Sequence, residues 1–510
     1  MKKLSFITAI ITLSLTPLLF ANVKLPAILG NNMVLQQGTN VNLWGWADPC
    51  EKIVIQLGWN RKAGPAGPET VADKNGKWSV FVKTPAAGGP YTLTIKGNNT
   101  IELKNILIGE VWLCSGQSNM QICMGGWDKQ LVGGYEDIKH SANPSIRLFT
   151  VQPVMADNLL DDVTGSWVEC RPETVKDFTA VGYYFGRKVH NETGYPVGLI
   201  CSSLGATNAQ TWTRIDYIKN DDNLSQITIQ YDAQFEAWEK ACVEAKKEQK
   251  PEPEELRPQN KPAALYNGMI APITNMTIKG VIWYQGESDV WASYLYRDLF
   301  PTMIQNWRCD FNNFQMPFYF VQLASFTEHK PGIEVKPYRG EPRNDIWAEL
   351  REAQLMTCSL KNTGMAVAID IGETNNVHPG NKKDVGERLA LWAMAKDYGK
   401  NIECSGPLYA GYRIEGNKIR IIFSHAETGL MFKNGKPKGF AIAGTDKKFV
   451  WADAQIEGST VLVSSKNIQT PVAVRYAWDI DPENCLYNKV NLPASPFRTD
   501  DWNGQTLGIK

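Results

Sequence analysis

The chain carries no excess of either charge: 53 Lys and Arg stand against 53 Asp and Glu in 510 residues. That balance leaves no net field to draw in nucleic acid or an anionic membrane surface, so neither is an expected partner. A local basic pocket for an anionic substrate is not excluded by it. The ten cysteines include no Cys-x-x-Cys pair, and neither clustered Cys/His ligands nor a His-Glu-x-x-His stretch occurs. No metal is therefore expected. Long apolar runs are also missing once the first residues are passed. The run at 6–20 is shorter than the ~20 residues that span a bilayer, so no stable membrane insertion is expected. With Lys2 and Lys3 before it and Ala21 after it, residues 1–21 read as a secretory signal, which predicts a periplasmic or secreted protein. No cysteine precedes Cys50, which argues against a lipid-anchored start.

What is present is an ordinary globular composition, 43% hydrophobic and 21% charged. The chain is too long for one compact core. Residues 22–105 alternate in short runs (41–46, 53–57, 78–82, 91–95) split by Gly, Pro and Asn turns, the pattern of a small β-sandwich-like domain. From 106 to 400 apolar runs at 106–114, 197–202, 278–284, 318–323 and 365–369 alternate with helical stretches at 181–192, 294–307, 347–360 and 382–398. This predicts an α/β domain whose parallel sheet is covered by helices on both faces. A polar, Glu- and Lys-rich segment at about 213–262, broken by Pro251, Pro253 and Pro258, reads as an insertion in that domain. Residues 401–510 return to short strands, a C-terminal β region.

Residues 109–120 read Gly-Glu-Val-Trp-Leu-Cys-Ser-Gly-Gln-Ser-Asn-Met. A buried strand ends here in a small polar turn that presents Ser118, and a rigid strand feeding an exposed turn suits a nucleophile. The turn lacks the Gly-x-Ser-x-Gly spacing of the α/β-hydrolase elbow. Ligands of an open parallel sheet bind beyond the carboxyl ends of its strands. Three further polar turns follow the later strands: 203–208 with Gly205, 285–289 with Gln285 and Glu287, and 372–379 with His378. Of five histidines, His378 is the natural base, with His140 as runner-up. His190 ends a helical stretch, His329 lies in a charged loop, and His425 falls in the C-terminal β region. A serine needs such a base near neutral pH, and free imidazole titrates near ~6.5. The Ser118 and Gly205 N–H groups, with the Gln285 amide, suit an oxyanion hole.

These strings resemble the sialate O-acetylesterase family of the SGNH (GDSL-like) hydrolase superfamily. The likeness rests on 109–120, on Trp283-Tyr284-Gln285-Gly286-Glu287-Ser288-Asp289, on Leu265-Tyr266-Asn267-Gly268-Met269-Ile270, and on His378-Pro379. It implies an SGNH-type fold and removal of O-acetyl groups from sialic acids or other glycans without a cofactor. Ser118 becomes the nucleophile, His378 the base, and Gly205 and Gln285 the oxyanion donors. Two departures stand out. Asn375 sits three residues before His378, where the superfamily often has Asp; Glu287, Glu373 and Asp370 are the carboxylates that would replace it, Glu287 first, with a Ser-His dyad as the alternative. Gly205-Ala206 stands where relatives tend to show Gly-Gly. The expected activity is an exported carbohydrate O-acetylesterase acting on acetylated sialic acid or another acetylated glycan. Acetyl xylan esterase is the catalytic alternative, and a non-catalytic glycan-binding protein is the alternative of another class. Trp127, Trp212 and Trp291 lie near the turns and permit sugar stacking.

Overall fold

The computed structural model describes residues 22–60, 67–127, 129–254, 256, 260–327, 336–435 and 437–509. The expected signal at 1–21, His329, and positions 255 and 257–259 of the expected insertion lie outside these. Seven strands form the central path: β1 (Thr100–Gly116), β2 (Asn143–Thr150), β3 (Trp167–Cys170), β4 (Val197–Ser203), β5 (Gly280–Tyr284), β6 (Phe318–Gln322) and β7 (Thr363–Val367). Their spatial order is β7-β6-β5-β1-β4-β2-β3. Neighbours are parallel except at the edge, where β3 runs antiparallel to β2. Every residue of β4, β5 and β6 is buried, as expected for strands covered on both faces. The cover is supplied by two packed helix pairs, α2 (Ala180–Thr193) with α5 (Lys382–Lys396) and α3 (Ser293–Asp310) with α4 (Ile346–Thr357). Side chains start three of these helices: Thr179 accepts from Gly182 N–H, Asp345 from Trp347 and Ala348 N–H, and Asn381 from Asp384 N–H.

The expected boundary near 105 falls inside one continuous strand. The first part of β1 pairs antiparallel with Gly88–Lys96, and Val34–Gln36 lies parallel to it at Leu107–Gly109. Its last part, from Glu110 to Gly116, pairs with β4 and β5. Burial changes along the strand, from alternating before residue 106 to continuous from there to Gly116. The change of pattern at 106 therefore marks a passage from one-sided to two-sided cover, not a break in the chain.

Around this core the β-rich ends form separate antiparallel sheets. Asn40–Trp46 pairs with Lys77–Lys83 on the N-terminal side. On the C-terminal side one four-stranded sheet joins Leu408–Glu415, Lys418–Ser424, Thr460–Ser464 and Asp453–Glu457. A second joins Phe449–Trp451, Phe440–Gly444, Pro471–Tyr476 and Phe497–Arg498. The segment read as an insertion is a helix at Ser225–Lys247. A single buried apolar cluster runs from Val23 to Phe497, so these sheets share their packing with the α/β core. All ten cysteines are free thiols; Cys114 and Cys201 face each other in the β1–β4 register, and burial pushes the Cys201 thiol up to about 11.

Candidate active site

After β1 the chain crosses to one side of the sheet for β2, β3 and β4, then returns to the other side for β5, β6 and β7. The reversal at β1 is the topological switch point, the place where crevices open beyond the strand ends. Ser118 sits there as the first residue of a one-turn helix, α1 (Ser118–Gln121). Gly116 makes the approach possible: its φ is 138°, and a Cβ would lie 2.1 Å from the Tyr284 carbonyl oxygen. The Gln117 N–H donates to that same carbonyl at 3.0 Å. Gln117 Oε1 accepts from the Gly286 and Ser288 N–H groups at 3.2 and 3.3 Å. The serine turn and the 285–289 turn are thus laced together through the backbone.

His378 Nε2 lies 2.9 Å from Ser118 Oγ, although the two residues are 260 apart in sequence. This is the geometry of a hydroxyl and its general base. The loop that carries the imidazole is anchored at several points. His378 N–H donates to Asn376 Oδ1 at 2.8 Å, and Gly380 N–H donates to Glu373 Oε1 at 2.7 Å. Glu373 also pairs with Lys129. Burial alone would raise the Glu373 carboxyl, but the Gly380 N–H and Lys129 outweigh it and hold it below the usual range.

The three carboxylates expected near His378 are engaged elsewhere. Asp370 forms a two-pronged pair with Arg388 at 2.6 and 2.8 Å. Glu373 binds the loop and Lys129 as above. Glu287, the first choice, accepts from Asn119 Nδ2 at 2.5 Å through Oε1, and its Oε2 makes no hydrogen bond among the described residues. Asn119 stands between Glu287 and the imidazole loop: its Nδ2 also donates to the Val377 carbonyl at 3.0 Å, and its Oδ1 accepts from Lys382 Nζ. Lys382 is wholly buried, and burial pulls its amine down to about 7. Burial likewise pushes the Glu287 carboxyl up. Glu287 therefore braces Asn119 and does not orient His378 directly.

Gln285 also departs from expectation. Its side chain is fully buried, and both amide hydrogens are used, one on the Thr207 carbonyl at 3.0 Å and one on Asp289 Oδ2 at 2.5 Å. Tyr296 OH donates to its Oε1 at 3.0 Å. An amide so committed has no hydrogen left for an oxyanion. Asp289, whose carboxyl burial pushes up, joins the turns by accepting also from Asn208 Nδ2 and Ala209 N–H.

Gly205 does lie beside the serine: a Cβ there would sit 3.4 Å from Ser118 Cβ. Its N–H donates to Gln121 Oε1 at 2.8 Å, so a side-chain carbonyl already takes the hydrogen that an oxyanion donor would offer. The Ser118 N–H is one of the amino-terminal groups of α1 that no helical carbonyl can reach. Ala206, at the departure from Gly-Gly, holds φ at 56°, the left-handed region that glycine takes without penalty.

A cleft of about 340 Å³ lies beside this point, lined among others by Gln121, Trp127, Gln152, Asp177 and Ser203, with neither Ser118 nor His378 on its lining. Trp127 is 48% exposed and meets the His378 ring edge-on, with centroids 5.7 Å apart. Trp291 is exposed as well, whereas Trp212 is buried against Trp283 and belongs to the core. Among the described residues one group has metal-ligating types close together, Glu403, Cys404 and His425. Glu403 Oε1 there already accepts from His425 Nδ1 and from the Cys404 and Ser405 N–H groups, which explains the cluster as a braced turn.

Against known proteins, residues 253–395 match the family model "Carbohydrate esterase, sialic acid-specific acetylesterase". The fold is similar to a carbohydrate acetylesterase from Xanthomonas citri at a TM-score of 0.79, with 33% identity over 94% of this chain and 100% of that one. The chain belongs to the sialate O-acetylesterase family of carbohydrate esterases. Sialate O-acetylesterases from Homo sapiens and Mus musculus are each 29% identical over 93% of the chain, covering 92% and 94% of their own lengths. Membership makes the chain an ester hydrolase. The stretch matched by the family model carries Gln285, Glu287 and His378; Ser118 lies outside it, and is joined to it by the contacts above. Asn119 was within reach of sequence reading, because it follows the serine in the same string, and Gln121 lies one residue past the end of that string. Nothing in the sequence singles out Lys382.

Proposed function

We propose that the chain is an exported O-acetylesterase for acetylated sugars, with Ser118 as nucleophile and His378 as general base. The observation that carries this is the 2.9 Å contact between His378 Nε2 and Ser118 Oγ at the switch point of the sheet. Ser118 Oγ attacks the acetyl carbonyl carbon while its proton passes to His378 Nε2. The oxyanion of the tetrahedral intermediate takes the N–H groups of Ser118 and Gly205, the second after Gln121 Oε1 yields its bond. His378 returns the proton to the departing sugar oxygen as the C–O bond breaks, leaving acetyl-Ser118. Water, deprotonated by His378, then releases acetate and restores the hydroxyl. Ser118→Ala should lower kcat/KM on a chromogenic acetate ester about 10³-fold or more while the melting temperature stays near that of the parent. Full turnover by the folded variant would overturn the assignment, and would leave Ser115 as the next candidate. Absence of turnover by the parent protein would favour the non-catalytic glycan-binding alternative.

Sialic acid as the sugar is supported by the family and by the curated relatives. A second reading, acetylated neutral polysaccharide, is supported by the cleft itself. Its described lining includes the exposed carboxylate of Asp177 and no Lys or Arg, and the nearby Lys129 is paired with Glu373. The carboxylate of a sialic acid entering there meets a like charge unless it points away from Asp177. Initial rates on O-acetylated sialic acid and on acetylated xylan, compared at equal acetyl concentration, decide between the two. Export is supported by residues 1–21, and no described helix is long and apolar enough to cross a membrane. Amino-terminal sequencing of the periplasmic or secreted protein tests it.

A further inference from the structure

A second cleft, of about 310 Å³, lies in the C-terminal β region away from Ser118 and His378. Its floor includes the small side chains of Ala441, Ala452 and Ala477, which leave room above the sheet. Two aromatic rings border it and remain open to solvent, Trp451 at 50% exposure and Tyr338 at 43%. Neither ring is loose. Trp451 lies on the edge strand Phe449–Trp451, and its only polar atom, Nε1, donates to the Gly340 carbonyl at 2.9 Å. The Arg343 guanidinium stacks over the Tyr338 ring at 4.4 Å. An exposed tryptophan tied down by its indole N–H presents a fixed apolar face.

The polar groups around these rings are equally preset. Arg343 donates to both oxygens of Asp479, at 2.8 and 3.2 Å, and Lys438 pairs with Glu483 at 2.5 Å. These pairs offer donors and acceptors in fixed positions with their charge already balanced. The cleft is also tied by hydrogen bonds to the loop that carries His378. Its wall at Asp479–Asp481 is held by Arg351, which donates to the Asp479 and Ile480 carbonyls and to the Leu323 and Ala324 carbonyls just past β6. Phe326 N–H donates to the Ile480 carbonyl, and Thr327 N–H to the Thr374 carbonyl in the His378 loop.

We infer that this cleft is an accessory saccharide-binding site, which holds a neutral pyranose chain against Trp451 and Tyr338. Stacking on a fixed aromatic face and hydrogen bonds to balanced polar pairs is the chemistry a neutral sugar ring requires. The ligand class rests on the carbohydrate-esterase reading, but the site uses none of the catalytic residues. Its role is to keep a glycan on the protein while its acetyl groups reach Ser118, a gain in effective concentration without new contacts at the serine.

The test is a titration of the full-length protein with xylohexaose, an unacetylated neutral chain, and in parallel with sialyllactose, read by isothermal titration calorimetry. Xylohexaose should bind the parent and Ser118→Ala equally. Trp451→Ala should weaken it about three- to tenfold, the range of one aromatic contact. Trp451→Tyr should keep most of the affinity, and hydrolysis of a small chromogenic acetate should be the same in all Trp451 variants. Loss of small-ester turnover in the parent overturns the esterase reading and leaves this one standing. Xylohexaose that does not bind, or binds Trp451→Ala as well as it binds the parent, overturns the inference. Binding of sialyllactose alone overturns its neutral class.

Discussion

Glu287→Gln is the substitution that separates a brace from a catalytic acid. In the parent, Glu287 Oε1 takes the Asn119 amide at 2.5 Å and Oε2 has no hydrogen bond among the described residues. Exchanging a carboxylate acceptor for an amide lowers that bond from about 1.5–3 kcal/mol to about 0.5–1.5 kcal/mol. The variant's Nε2 takes the place of Oε2 and brings two N–H donors with no acceptor among the described residues, a further burden of about 1–3 kcal/mol. Both changes act in the same direction, and stability should fall by about 1–4 kcal/mol. Lys382 loses the anion that favours its charged form, so its amine moves further down from about 7. Catalysis feels Glu287 only through Asn119 and the Val377 carbonyl, so kcat/KM on a chromogenic acetate should fall less than about tenfold, under ~1.4 kcal/mol. An acid that directly orients the base loses about 10²–10⁴-fold on amidation. Melting curves and kcat/KM against pH provide the assay. A folded variant with a loss above about 10²-fold, and with the pH profile of the base displaced, would refute the placement of Glu287 behind Asn119.

Three further outcomes follow from the same contacts. Gln121→Glu puts a carboxylate on the Gly205 N–H that the acyl oxyanion must take, and kcat should fall about 10²-fold or more with KM less affected, read from steady-state kinetics on the same ester. Glu373→Gln should lower the melting temperature at neutral pH. Because the folded carboxyl lies below its unfolded value, its stabilisation is complete above the unfolded pKa of ~4.3 and is lost as pH falls through the folded one, so the gap to the parent should close in acid. Ala206→Gly relieves a left-handed alanine and should raise stability by up to about 1 kcal/mol in denaturant unfolding, with activity retained.

The turns that bring Ser118 and His378 together were legible because each follows from a local pattern. An all-buried strand ending in a small polar turn marks Ser118, and the polar turn after β7 marks His378. The partners of the turn residues were not legible. Gln285 lies in a polar turn on the correct rim, yet it folds inward because Asp289, four residues on, and Tyr296, in the next helix, complete its hydrogen bonds inside. A linear string locates a turn but does not say which of its side chains faces the core. Strands β2 and β3, the last two on one side of the sheet, were missed for a related reason: β2 opens with Asn143-Pro144-Ser145 and β3 is four residues long, so neither shows the apolar run of a covered strand. The helices over the sheet were foreseen within a few residues because their apolar spacing is set by the face they bury.

The Ser118–His378 pair is held in part by its neighbours in sequence. Asn119 follows Ser118, Val377 precedes His378, and the Asn119-to-Val377 hydrogen bond therefore fixes the distance between the two reactive atoms from one residue away. The same Asn119 is fixed from below by Glu287 and Lys382, two buried ionisable groups whose pKa values burial moves toward neutrality. Buried polar groups of this kind are costly unless each is satisfied, and a chain keeps them where geometry must be unique. Here they support a 2.9 Å contact between residues that follow different strands, which an apolar core of similar volume would hold less specifically. The Gln117 and Asp289 bridges do the same for the two other turns. The polar core beneath the rim is thus the part of the molecule that converts four separate strand ends into one site.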